Sequence, residues 1–135
     1  MTRFFTRIAA ASLMALVSTA AFAAEPENTL VISLKDGDVT IALRPDLAPK
    51  HVEQIKALTR KGAYDNVVFH RVIDGFMAQT GDVQFGNSAK DFNPAQAGMG
   101  GSDLPDIKAE FSQEPFVRGT VGMARAQSPD SANSQ

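Results

Sequence analysis

Phe69 to Asp82 reads FHRVIDGFMAQTGD. It closes a run rich in β-branched residues, Asn66 to Ile73 (NVVFHRVI), which reads as a strand. Gly75 breaks that strand, and Phe76 to Gln79 resumes as a short second one before Thr80-Gly81-Asp82. Strand geometry puts His70 and Arg71 on opposite faces. His70 is expected to point inward as a buried, hydrogen-bonded core residue. The stretch offers one fixed cation with a planar donor fork, Arg71. It adds an adaptable apolar pair, Phe76 and Met77. Gln79, both donor and acceptor, shares a strand face with Met77. Taken singly, Arg71 would be an ordinary surface arginine and Phe76 and Met77 core residues. Taken together they make a surface that can bind and polarise without transferring a proton.

Upstream, Leu30 to Leu43 (LVISLKDGDVTIAL) places Leu30, Ile32 and Leu34 on one strand face and Val39, Ile41 and Leu43 on another. Asp36-Gly37 between them favours a tight type I′ turn, so this segment reads as a β-hairpin. Pro49 suits the first turn of a helix. Val52, Ile55 and Leu58, with Thr59, then recur at helical spacing until Arg60, Lys61 and Gly62 close the segment. The expected helix runs from Pro49 to Lys61, with His51 half-exposed in its first turn. Downstream, Val83 to Asp106 is a long glycine- and proline-marked loop, a feature usually functional or mobile. Ile107 to Phe111 (IKAEF) and Arg118 to Arg125 (RGTVGMAR) read as further strands, and the polar end AQSPDSANSQ as turns. Short strands with one helix indicate a mainly β, mostly antiparallel protein, either a barrel or a sandwich.

The N-terminus has a different character. Met1 to Arg7 carries two arginines and no acid, and Ile8 to Ala24 is uncharged and apolar to small. Ala21-Phe22-Ala23 completes the pattern of a secretory signal peptide, with cleavage expected after Ala23. The expected organisation is a signal peptide over 1–23, a short linker over 24–28 and one domain over 29–135. Export to the periplasm or secretion follows, without stable membrane insertion once the signal is removed. Without Arg3 and Arg7, 11 of the 13 basic residues face 15 acidic ones, a net charge of −4. No basic patch remains to hold a phosphate backbone, so nucleic acid is not an expected partner. The chain has no cysteine, so packing must hold the domain without disulfides.

Several chemistries lack their parts. Two histidines on different elements and no cysteine make a metal site unexpected. No G-x-S-x-G motif serves a serine triad. The GMGGSD loop has no Lys-Ser/Thr pair for phosphate. Carboxylates without a tryptophan platform do not suggest glycoside hydrolysis.

FHRVIDGFMAQTGD resembles the signature of the cyclophilin family of peptidyl-prolyl cis–trans isomerases. The order around it is similar as well: a proline-led helix and KGAYDN, then GMGGSD, LPDIKAEF and RGTVGMARAQSPDSANSQ. The similarity extends over Thr29 to Gln135. It implies a cyclophilin-like antiparallel β-barrel with a capping helix, and acceleration of rotation about X–Pro bonds during protein folding. Expected partners are proline-containing peptides and unfolded exported proteins, and no cofactor is expected. Such chemistry suits the residues, because the barrier of about 18–20 kcal/mol comes from amide resonance and not from a bond to be broken. The resemblance implies that Arg71 is the catalytic arginine, holding the prolyl carbonyl and favouring the twisted imide, with Gln79 beside it on the substrate backbone. Phe76 and Met77 would form the floor of the proline pocket. Ala124 and Arg125 would line the bound peptide, and Gln135 would stand at the pocket edge. Arg125 replaces an asparagine common in the family, and Asp74 stands where proline is common.

In the family the Ser-Gln segment leads into a Phe-Phe-Ile run, more strands and a second helix. The barrel is accordingly expected to be incomplete, its C-terminal strands and second helix absent. That leaves two rival expectations: a non-catalytic, holdase-like peptide binder, and an inactive fragment of such an isomerase.

Overall fold

The computed structural model describes residues 26–90 and 92–135. The expected signal peptide and the start of the linker lie outside them. After a short 3-10 turn at Pro26–Asn28 come β1 (Thr29–Leu34), β2 (Gly37–Ala42), α1 (Pro49–Arg60), β3 (Arg71–Ile73) and β4 (Met77–Gln79). No helix among the described residues is long and apolar enough to cross a membrane.

β1 and β2 form the expected hairpin, with Leu30 opposite Ile41 and Ile32 opposite Val39. Apolar residues thus face one another across the ladder, the arrangement that stabilises an antiparallel pair. The turn differs from expectation by one residue. Leu34 pairs with Gly37, so Lys35 and Asp36 make the reversal. Neither has the positive φ that a type I′ turn requires; Gly37 takes it instead, at φ 127°.

Helix α1 buries Val52 and Leu58 and ends in two reciprocal bonds, Gly62 N–H to Thr59 O and Ala63 N–H to Leu58 O. These are the bonds of a Schellman cap. Its N-terminus has no local cap, since the preceding Ala48 offers no side-chain acceptor. Glu110 supplies one from 60 positions away, accepting the N–H groups of Lys50 at 3.0 Å and His51 at 3.1 Å. The His51 Nδ1 lies 2.6 Å from the same carboxylate, and its side chain is only 12% exposed. His51 is therefore more buried than expected, held by an anion at the positive end of a helix. Burial pushes the Glu110 carboxyl up, but His51 and the two N–H groups outweigh it and hold the group below the usual carboxylate range.

Among the described residues, the strands pair only as β1–β2 and β3–β4, two separate antiparallel hairpins. They do not close a barrel. The longer strands expected over 66–73, 107–111 and 118–125 are mostly irregular backbone. Single bridges, Val67 with Asn87 and Ile107 with Ala132, stand where ladders were expected. β-rich composition favours an extended chain, but a strand exists only where a neighbour supplies the bonds. Ile107 and Ala132 join Val52 and Leu58 as the buried apolar residues. Gln54 of α1 ties this strip together by donating to Pro105 O and Asn133 O. Segment 111–122 is exposed throughout.

Candidate active site

The short β3–β4 hairpin sets the geometry. Its register places Arg71 directly opposite Gln79, Val72 opposite Ala78 and Ile73 opposite Met77. Directly opposed residues project from the same face. Arg71 and Gln79 are thus side by side, and the pleat puts Ile73 and Met77 on that face with them. The reversal is closed by Phe76 N–H to Ile73 O at 3.1 Å, with Gly75 at φ 69° in its third position. That is the pattern of a type II turn, in which Asp74 holds a position that also accepts proline. Phe76 belongs to this turn, not to the strand, and is 78% exposed.

Gln79 enters a chain of bonds. Its Nε2 donates to Gln135 Oε1 at 2.9 Å. The Gln135 Nε2 donates in turn to the carbonyls of Gly98 at 3.2 Å and Gly100 at 2.6 Å. The Gln135 carbonyl accepts the Ala124 N–H at 2.9 Å. A cavity of about 440 Å³ opens beside this chain, lined by Gln79, Met99, Ala124, Arg125 and Gln135, among others. Four of the residues expected at the site, Gln79, Ala124, Arg125 and Gln135, therefore meet around one cavity. Arg71, Phe76 and Met77 are not among the cavity's lining; Arg71 is linked to it only by standing opposite Gln79 in the strand register. The Arg125 guanidinium lies 4.6 Å from the centre of the Phe111 ring, in cation–π contact.

Behind the cavity stands a residue that the sequence reading passed over. Asp82 is fully buried. Its Oδ1 accepts the N–H groups of Gln84 and Phe85 at 3.0 and 2.8 Å, a local Asx-type turn. Its Oδ2 accepts those of Gly98 and Gly100 at 2.7 and 3.0 Å. Burial pushes this carboxyl up, yet the four N–H donors prevail and hold it below the usual carboxylate range. The glycines in GMGGSD follow from this closeness. A Cβ on Gly100 would sit 2.6 Å from Asp82 Oδ1, and one on Gly98 would sit 2.7 Å from the His70 ring. An acid at the end of a strand, followed by a glycine-rich loop, was the available clue; the partners 16 and 18 positions away were not.

Asn133 is a second such hub. It accepts from the N–H and hydroxyl of Ser102 and donates to Leu104 O and Asp106 Oδ1. His70 departs from expectation. Both of its ring nitrogens are buried, and neither has a hydrogen-bond partner among the described residues. Its ring lies against Gly98, so packing on the loop takes the place of the expected bond.

The hairpin pairs an arginine with a glutamine beside a polar cavity. Comparison with known proteins gives the family. Residues 29–135 match the family model described as cyclophilin type peptidyl-prolyl cis-trans isomerase/CLD. A Brucella suis biovar 1 protein named "Probable peptidyl-prolyl cis-trans isomerase" is 67% identical over 132 residues, covering 95% of this chain and 67% of the relative. A Brucella abortus (strain 2308) protein of the same name is 66% identical over the same length and shares. The chain belongs to the cyclophilin-type peptidyl-prolyl cis–trans isomerases.

Proposed function

We propose that this chain accelerates X–Pro rotation through Arg71, with Gln79 and Gln135 holding the peptide backbone along the cavity. The observation that carries the reading is the β3–β4 register, which places Arg71 opposite Gln79, whose own amide is oriented by Gln135. In the twisted imide the nitrogen lone pair is localised, and a cation placed there favours that state over the planar one. No covalent intermediate or proton transfer is needed. Phe76 and Met77 contribute apolar surface for the prolyl ring, and Ala124 and Arg125 the edge along which the peptide runs. The two hairpins are, in this reading, elements of an antiparallel barrel over 29–135. The 1–23 segment is a cleaved signal peptide, so the clients are unfolded exported proteins in the periplasm or outside the cell.

Exchange NMR on a short Ala-Pro peptide tests the reading, comparing the chain with Arg71→Ala. Acceleration that disappears in the variant supports it. Acceleration that persists assigns rotation to something other than the arginine. A second reading, passive holdase-like binding, is favoured by the exposed Phe76, Phe111 and Phe116. It predicts peptide binding without catalysis, equal in the chain and in the variant.

A further inference from the structure

Asp82 presents a full negative charge to four backbone N–H groups in the interior, and two of those belong to the loop that meets Gln135. The consequence lies in the direction of the bonds. The carbonyls of Gly98 and Gly100 can only accept, so Gln135 must turn its Nε2 toward them. Its Oε1 then faces Gln79, which must answer with its own Nε2. That leaves the Gln79 Oε1 as the acceptor free for a ligand. The sense of the whole chain is therefore set where the loop is anchored, and the anchor is Asp82.

We propose that Asp82 is a positioning residue: by holding the N–H groups of Gly98 and Gly100 it fixes the loop whose carbonyls orient Gln135, and through Gln135 the amide of Gln79 and hence how the substrate backbone is gripped. This rests on the reading of Gln79 as a substrate contact. The charge matters as much as the shape. In Asp82→Asn the side-chain NH2 would face either the Gln84 and Phe85 pair or the Gly98 and Gly100 pair, donor against donor. One pair loses its acceptor, and the anchor that joins the Gln84–Phe85 turn to the Gly98–Gly100 loop is broken on that side.

The test compares the full chain with Asp82→Asn, Gln79→Ala and the double variant. Side-chain amide resonances of Gln79 and Gln135 are followed by NMR, alongside kcat and KM on an Ala-Pro peptide. The expected result for Asp82→Asn is displaced Gln79 and Gln135 amide resonances. KM should rise about tenfold, the scale of one lost hydrogen bond, with kcat changed far less. The double variant should be no worse than Gln79→Ala, because both changes act on one contact. Unmoved amide resonances, or losses that add in the double variant, would overturn the proposal. If Gln79→Ala leaves KM unchanged, the substrate role of Gln79 fails, and the amide resonances still decide its link to Asp82. If Asp82→Asn does not fold, acid titration of the unmodified chain decides. The Gln79 and Gln135 side-chain amides should follow the midpoint of the Asp82 carboxyl carbon, and independence from it would overturn the link.

Discussion

The two hairpins are built on opposite plans. β1–β2 has six paired positions and apolar residues facing across the ladder, so more of its geometry comes from its own strands. None of the expected site residues lies on it. β3–β4 has three paired positions, all exposed on β3, yet it carries Arg71 and Gln79. A three-pair hairpin is not stable alone in water. Its support comes from outside: Thr80 Oγ1 donates to Val68 O, Gln79 donates to Gln135, and Ser134 Oγ donates to Gly81 O. Regular pairing makes scaffold here. The face proposed to act on substrate sits where geometry is imposed by distant polar partners.

The sharpest break in that contrast is Arg71→Ala. Loss of a preorganised cation at the site of developing charge should lower kcat/KM by roughly 10²–10³-fold, with the β1–β2 amides unmoved in an NMR spectrum. Asp82→Ala comes next. Leaving four buried N–H groups without an acceptor should cost about 3 kcal/mol or more in a denaturant melt. Hydrogen exchange should show protection lost at β3–β4 before β1–β2. Equal loss in both hairpins would mean that the network supports the whole domain and not the second hairpin alone.

Acid provides a graded version of the same experiment. The Asp82 carboxyl is held below its ordinary value in the folded chain, so it binds fewer protons there than in the unfolded chain. Its contribution is fully present above the unfolded value, about 3.9, and is lost as pH falls through the folded one. Glu110, shifted the same way, adds to the effect. Stability by denaturant titration should therefore fall as pH drops below about 4, and Asp82→Asn should flatten the curve. Gly37→Ala probes the first hairpin: open space surrounds the site, so only the φ of 127° opposes the methyl group, at about 1 kcal/mol in a thermal melt. Arg125→Ala should do least to stability, about 0.5–1 kcal/mol, because its partner ring is 72% exposed.

What the sequence made legible follows from how local each feature is. The alternation in β1 and β2 and the spacing of Val52, Ile55 and Leu58 are local patterns, and those elements are present within a residue or two. The turn was displaced because Asp36-Gly37 fits a type I′ reversal well, while the chain reaches the same end with one positive φ at Gly37. RGTVGMAR has a strand's composition, but of its residues only Ala124 reaches Gln135 through its backbone. The motif around Phe69 to Asp82 named Arg71 and Gln79. It did not reveal that Gln79 is oriented by Gln135, 56 positions later, or that Asp82 anchors the loop between them. Partnerships of that length leave no spacing rule to read.

The cap on helix α1 has a consequence in time. Lys50 and Glu110 are 60 residues apart, so the start of the helix is made long before its acceptor exists. At about 5–20 residues per second of synthesis, that interval lasts roughly 3–12 s. Through those seconds the helix must persist on its own propensity and its Schellman end alone, or form late. The N-terminal cap of α1 is therefore completed only after the segment bearing Glu110 has been made.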